Sequence, residues 1–390
     1  MLDQDFHALR QHLETDVRQP AFDVIRSRRL WRTRFLAMTG VALAVVALTV
    51  WSITTPPAHN LNSPPVGGSQ TVVPTLTLGP HEAMFPFEPS LAYPAVSVVP
   101  DTAAPLLPTD RAVGNASFGF GNAQFSNEYL VMRDGRQFKV DPGMGILSML
   151  SPDGRWLALY KDNVTSLRDL TGTTTRPAGI TDQAWSANGR FLLGREQTGY
   201  AVLDTQTWIL RAVPGGRGQW AFGVLDTGDV LLLDGKVAAD HVPIRTINPT
   251  DGATVRRFTV ATAGLLRTGE TLTRPGGEFG VDLVDIRIGA GYGVVRIHYE
   301  LRNSPGYLVF STEDGRVVRR IDIPSEAPTG WMFTGTRLTA TDGTSSPGLP
   351  SERLDYVVTI DIRDGHFSTL SRIHAPSDTA YLLPGSFQPD

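Results

Sequence analysis

Apolar and polar positions fall into three textures along this chain. Leu2, Phe6, Leu9, Leu13 and Val17 recur at helical spacing, so residues 1–19 are predicted to form an amphipathic helix. Phe35–Ile53, FLAMTGVALAVVALTVWSI, then runs for 19 residues without a charge. A bilayer core about 30 Å thick needs about 20 apolar helical residues, so this stretch is predicted to span a membrane. From about Val113 the apolar residues come in short runs broken by Asp-Gly or Asn-Gly pairs. That is the pattern of strands joined by tight turns, where glycine accepts a positive φ at little cost.

The strand texture repeats. EYLVMRDGRQFKV turns at Asp134–Gly135, MLSPDGRWLALY at Asp153–Gly154, and AWSANGRFLLGR at Asn188–Gly189. The last two align at an offset of 35 residues: Leu150 with Trp185, Ser151 with Ser186, Asp153 with Asn188, Gly154 with Gly189, Arg155 with Arg190, and Trp156 with Phe191. A second strand–turn–strand element recurs with turns near Thr171, Thr205, Asp251, Asp314 and Asp364, spaced by 34, 46, 63 and 50 residues. Units of about 40–50 residues with about four strands each predict a β-propeller, because one blade cannot bury both of its faces alone. The available length gives about six or seven blades at that period. Six are expected, near 113–143, 144–178, 179–215, 216–262, 263–323 and 324–374, with seven as the alternative. TAYLLPGSF, from Thr379, is expected to complete the first blade and close the ring.

Ser151, Pro152, Asp153, Gly154, Arg155 and Trp156 form a hairpin motif that resembles those of TolB-like, WD40-like propellers. Ser186, Asn188, Gly189 and Arg190 repeat it, and later blades keep only the strand–turn–strand form. The resemblance covers roughly residues 113–387. It implies an all-β fold and leaves function open, since one fold hosts many functions. With its short Arg-rich stub and alanine-rich helix, the whole chain resembles actinobacterial single-pass membrane proteins.

Charge gives the membrane segment a direction. Arg26, Arg28, Arg29, Arg32 and Arg34 precede Phe35, and the next Lys or Arg after it is Arg111. This asymmetry predicts a cytoplasmic N-terminus and an extracytoplasmic C-terminal domain at the plasma membrane, with Trp31 and Trp51 at the headgroup levels. A cleaved signal peptide is the competing reading; its basic region would be unusually long, and TTPPAHN offers no clear cleavage site. The expected domains are a stub over 1–34, a membrane helix over 35–55, a Pro-rich linker over 56–110 and the propeller over 111–390. The linker holds 12 prolines, dense enough to favour extended chain. Up to about Gly79 it reads as disordered; Met84–Val99 is more apolar and reads as lying along the folded domain.

Composition narrows the chemistry. A net charge of −4 does not suit nucleic-acid binding. With no cysteine, disulfides, thiolate catalysis and Cys-ligated metals are excluded. Gly289, Gly291 and Gly293 resemble a phosphate-binding run but lead into a strand, where no helix N-terminus awaits an anion. His298 and Glu300 share a strand face without a third ligand. Asp282, Asp285 and Glu300 could pair across strands, but carboxylates are common in strand turns, so they do not support a glycosidase. Trp156, Trp185, Trp208, Trp220 and Trp331 are expected to pack between blades, and Arg256–Arg257 and Arg319–Arg320 to lie on a solvated face.

No catalytic, cofactor or metal site is assigned, and the chain is expected not to be an enzyme. The leading expectation is an extracytoplasmic binding or scaffold module for a protein, peptide or glycan. The first alternative is an anti-sigma-like regulator whose residues 1–30 bind a cytoplasmic protein. The second is a cell-wall lyase or hydrolase. Reporter fusions at residue 20 and residue 390 are expected to read cytoplasmic and exported; the reverse would remove the basis for the first two.

Overall fold

The computed structural model describes residues 73–77, 87–88, 90–122, 127–196, 199–214, 220–274, 283–299, 306–323, 332–345, 352–376 and 379–385. These form an all-β propeller of six four-stranded blades. The stub, the membrane segment Phe35–Ile53 with Arg28, Arg29, Trp31, Arg32, Arg34 and Trp51, and Trp331 lie outside the described residues.

Each blade is an antiparallel meander that begins at the centre of the ring and ends at its rim. Blade 2 runs Ile146–Leu150, Trp156–Lys161, Val164–Asp169, Thr175–Pro177, and blade 3 runs Thr181–Trp185, Phe191–Glu196, Gly199–Asp204, Ile209–Ala212. Blade 4 runs Ala221–Val224, Val230–Leu233, His241–Ile247, Thr254–Ala261. Blade 5 runs Ile286–Ile288, Tyr292–Tyr299, Gly306–Ser311, Val317–Asp322, and blade 6 runs Met332–Thr334, Arg337–Ser345, Glu352–Asp361, Phe367–Pro376. In blade 1 the C-terminal strand Thr379–Leu382 takes the innermost place, followed by Ala116–Asn122, Glu128–Met132 and Gln137–Lys139. It pairs Tyr381 with Phe120 and Leu382 with Gly119. Its continuation meets blade 2, where Gly385 N–H donates to Leu150 O at 2.8 Å.

Six blades with a C-terminal closing strand match the expectation. The middle strands are apolar nearly throughout, as sheets buried on both faces require. Blade 4's Val230–Leu233 and blade 5's Gly306–Ser311 are examples. Their side chains fill the seams between neighbouring blades.

On one face of the ring, the turns joining first and second strands touch their neighbours. A Cβ on Gly154 would lie 2.0 Å from Ala116 O, and one on Gly289 2.0 Å from Gly335 O. Gly293 lies under the Phe310 ring, where a Cβ would lie 2.3 Å away. In the glycine run 289–293, Gly289 thus meets blade 6, whereas Gly293 packs on Phe310 of its own blade. Trp156 and Trp185 are buried in the seam of blades 2 and 3, whereas Trp220 is 37% exposed.

The proline-rich stretch supplies the least expected feature. Its described residues, 73–77, 87–88 and 90 onward, form a belt along the rims of blades 5, 6 and 1 before the chain enters the ring. Thr75–Thr77 pairs in parallel with Arg320–Asp322 of blade 5, and Val96–Val98 with Arg372–His374 of blade 6. Leu106 bridges in parallel to Lys139 of blade 1. The reading of residues up to Gly79 as disordered thus does not hold for Thr75–Thr77. The belt's apolar side chains enter successive seams: Val73 between blades 4 and 5, Leu76 between 5 and 6, Val99 between 6 and 1, Leu107 between 1 and 2.

A buried arginine fastens this belt. The Arg168 guanidinium, fully buried in blade 2, donates to Gly172 O at 2.9 Å and to Arg111 O at 3.0 Å. Arg320 does not lie on a solvated face as expected. It is 5% exposed and holds Glu270 through two hydrogen bonds of 2.9 and 2.7 Å and Asp322 through one of 2.7 Å.

If the belt is part of the folded unit, truncating its buried side chains costs core stability. Leu107→Ala is expected to lose about 2–5 kcal/mol in denaturant unfolding, the range for buried leucines. Leu91→Ala, at a residue 95% exposed, is expected to stay within about 0.5 kcal/mol of the parent. Equal effects would place the belt outside the cooperative core.

Candidate functional site

The repeat motif is built from the backbone outward. Ser151 Oγ donates to Asp153 Oδ1 at 2.5 Å and accepts from Trp156 N–H at 2.8 Å, which closes the turn. In blade 3, Ser186 Oγ donates to Asn188 Oδ1 at 2.8 Å and accepts from Phe191 N–H at 2.9 Å. Pro152 leads into the first turn, and Gly154 and Gly189 take the positive φ of 71° and 72° that each turn requires. Asp153 and Asn188 serve the turns: Asp153 O accepts from Asn115 Nδ2 at 2.9 Å, and Asn188 N–H donates to Asp226 Oδ1 at 2.8 Å.

Each motif arginine reaches a carboxylate on the third strand of its own blade. Arg155 grips Asp169 at 3.1 and 2.7 Å, and Arg190 grips Asp204 at 3.3 and 2.8 Å. Arg155 also lies over the Trp156 ring at 5.0 Å, and Arg190 over Phe191 at 4.7 Å. Burial works against charge at both aspartates. The arginine hydrogen bond, further hydrogen bonds at the turn and the arginine charge outweigh it and hold both carboxyls below their ordinary value. Sequence reasoning missed Asp169 and Asp204. The signal was present: both sit 14 residues after their arginine and obey the 35-residue offset.

Blades 2 and 3 then form an open groove of about 340 Å³ at the rim of their seam. Trp156 and Trp208 form its apolar wall, with ring centroids 5.5 Å apart. Arg155 and Arg176 lie over the indoles, Arg176 at 5.3 Å from the Trp208 ring. Thr174, Thr205 and Gln206 supply polar groups. Trp208 is held at φ 59°, a costly conformation for a bulky residue. Arg155 is engaged by Asp169, whereas Arg176 has no carboxylate partner among the described residues. The groove can therefore hold an anionic or planar group against a cation–aromatic wall. Trp208 and Arg176 carried no motif signal; only the fold brings them to Trp156.

Other candidates fall elsewhere. No group of three or more His, Asp or Glu residues suited to a metal occurs among the described residues. Glu300 and Asp282 lie outside those residues. Asp285 is engaged by Arg287 at 3.1 Å and lies 3.7 Å from Arg296. Arg256 donates to Thr312 O and Glu313 O of the next blade, and Arg257 pairs with Asp234 at 3.1 Å.

No protein-family model matches the sequence, and no curated protein does. Solved structures similar to this chain include one described as a propeller. A putative TolB from Agrobacterium tumefaciens is 12% identical, covering 72% of this chain and 100% of its own, with a TM-score of 0.35. The oligogalacturonate lyase of Vibrio parahaemolyticus is 13% identical over 63% of this chain and 71% of its own, with a TM-score of 0.35. The Dos1 propeller is 11% identical over 60% and 63%, with a TM-score of 0.32. The expectation that the chain is not an enzyme is corrected here. Structures similar to it include oligogalacturonate lyases, which are enzymes.

The two arginine–aspartate pairs predict an acid-sensitive stability. Carboxyls depressed in the folded state add stability that is present above their ordinary value of 3.8 and lost as pH falls through the lower folded value. Melting temperature is therefore expected to drop on acidification below about pH 4, and less steeply in Asp169→Asn/Asp204→Asn. Parallel curves for parent and variant would remove these pairs from the acid response.

Proposed function

We propose that this chain is a membrane-tethered propeller whose exported domain binds a protein, peptide or glycan at the cell surface. The observation that carries the reading is the groove between blades 2 and 3. It combines the buried Trp156 and the partly exposed Trp208, the Arg155–Asp169 pair, an arginine without a carboxylate partner among the described residues, and neutral hydrogen-bonding groups. Such a mixed aromatic and polar lining is what recognition sites use for orientation and affinity. The tether is supported by the uncharged stretch Phe35–Ile53 and the arginines ahead of it.

A second reading rests on the apolar face of residues 1–19. In it, residues 1–30 dock on a cytoplasmic protein and the propeller reports from outside. One experiment separates the two. Cells carrying the full chain and cells carrying a variant lacking residues 1–30 are treated with a membrane-impermeant crosslinker. The binding reading expects the same surface adduct from both, weakened by Trp208→Ala in either. An adduct that disappears on deletion of 1–30 favours the regulator. Adducts unchanged by Trp208→Ala take the groove out of recognition.

A further inference from the structure

The geometry points to the outer edge of blade 3, with the groove beside it, as the docking site for an extended acidic segment of a partner protein, added as a parallel fifth strand. This deepens the binding reading above and rests on it.

The fold itself shows how such a segment is held. Blades 5, 6 and 1 each take belt residues in parallel on the outer strand. On blade 6, Arg372 N–H donates to Ala95 O at 3.0 Å and Val99 N–H to His374 O at 2.8 Å. The belt also satisfies the edge: its Phe87 lies 5.1 Å under the Arg372 guanidinium. Blades 2, 3 and 4 receive no such strand among the described residues.

Of these three edges, blade 3's is best prepared. Its ladder uses the inward groups of Ile209, Arg211 and Val213, as the bond from Val213 N–H to Tyr200 O and the register show. Alternation therefore turns the N–H groups of Leu210 and Ala212 outward. The equivalent outward position on blade 2 is Pro177, which has no N–H to offer. On blade 4, Arg256 and Arg257 are already engaged by Thr312 and Glu313 carbonyls and by Asp234. Blade 3 also keeps Ile209 and Leu210 exposed, at 47% and 37%, a protein-binding signature when it sits on an open edge.

Charge selects the occupant. Arg176 lies on the blade 2 side of this edge, and Arg211 points to the opposite side by alternation. Neither has a carboxylate partner among the described residues, and Thr175–Pro177 and Ile209–Ala212 contain no acidic residue. A strand added here presents alternate side chains to the two sides. One row reaches the Trp208 groove and Arg176, the other Arg211. An apolar residue flanked by carboxylates complements both rows.

The test selects random ten-residue peptides displayed on phage against the full chain in detergent. Enriched peptides, fluorescently labelled, are then titrated against variants. The proposal expects Asp and Glu to be enriched around an apolar residue. Affinity should fall at least tenfold in Ala212→Pro, which removes one outward N–H, and in Arg176→Glu/Arg211→Glu. Leu91→Ser, on the exposed face of the belt, should bind as the parent does. Thermal melts identify variants that fail to fold, and the double arginine variant decides the question if the proline variant does. Peptides that bind both folded variants as tightly as the parent overturn the edge site while leaving the propeller a binding module. Enrichment of basic or uncharged sequences, or of nothing above the bare support, also overturns the proposal, and the crosslinking experiment then judges the broader reading alone.

Discussion

The ladder between Thr379–Leu382 and Ala116–Asn122 is the interaction on which the rest of the molecule depends. A chain of blades has two ends, and each end exposes a strand edge and an apolar face. Placing the last strand innermost in the first blade removes the edge and brings blade 6 against blade 1. The seam so formed holds Phe118, Phe120, Val357 and Ile373. It joins elements more than 200 residues apart, so its loop-closure cost is met only when the whole ring assembles.

The belt reinforces that join. Ser117 Oγ on blade 1 donates to Ala92 O at 2.6 Å, and Ser371 Oγ on blade 6 donates to Pro94 O at 2.7 Å, so one short stretch of belt is held from both sides of the closing seam. Val99 then fills its interior. The same belt pairs with the outer strands of blades 5, 6 and 1, and among the described residues no strand pairs with the outer strands of blades 2, 3 and 4. Among the described residues, the groove with Trp156 and Trp208 therefore lies beside outer strands that the belt does not pair with.

Much of this was legible in the sequence, for reasons tied to particular residues. The Asp-Gly and Asn-Gly turns at 153–154 and 188–189 mark hairpins because those positions need positive φ, and a ring of hairpins has a fixed period. Blade 5 stretched the period to 63 residues because the chain makes an excursion before Ile286, where Glu270 meets Arg320. The belt was hidden by its prolines. A proline lacks an N–H, yet an edge strand bonds on one side only and its carbonyls still accept. Pro74 O receives Arg320 N–H at 3.0 Å, and Pro105 O receives Lys139 N–H at 2.9 Å. The groove was hidden because Trp156 and Arg176 belong to different strands of blade 2, Trp208 to a turn of blade 3, and the three share no local pattern. The solvated reading of Arg320 failed because strand alternation does not reveal that the earlier segment Leu265–Glu270 folds over it.

Among the described residues the belt pairs with the outer strands of blades 5, 6 and 1 and with no others, and amide-resolved hydrogen exchange of the full chain tests this division of the rim most directly. Lys139, Arg320 and Arg372 donate their N–H groups to belt carbonyls and should exchange slowly, near the rate of the inner ladders. The outward amides of Leu210 and Ala212 on blade 3 should exchange orders of magnitude faster, as unpaired edge groups do. Comparable protection of Leu210, Ala212 and Arg372, or rapid exchange at Arg372 and Lys139, would contradict the account.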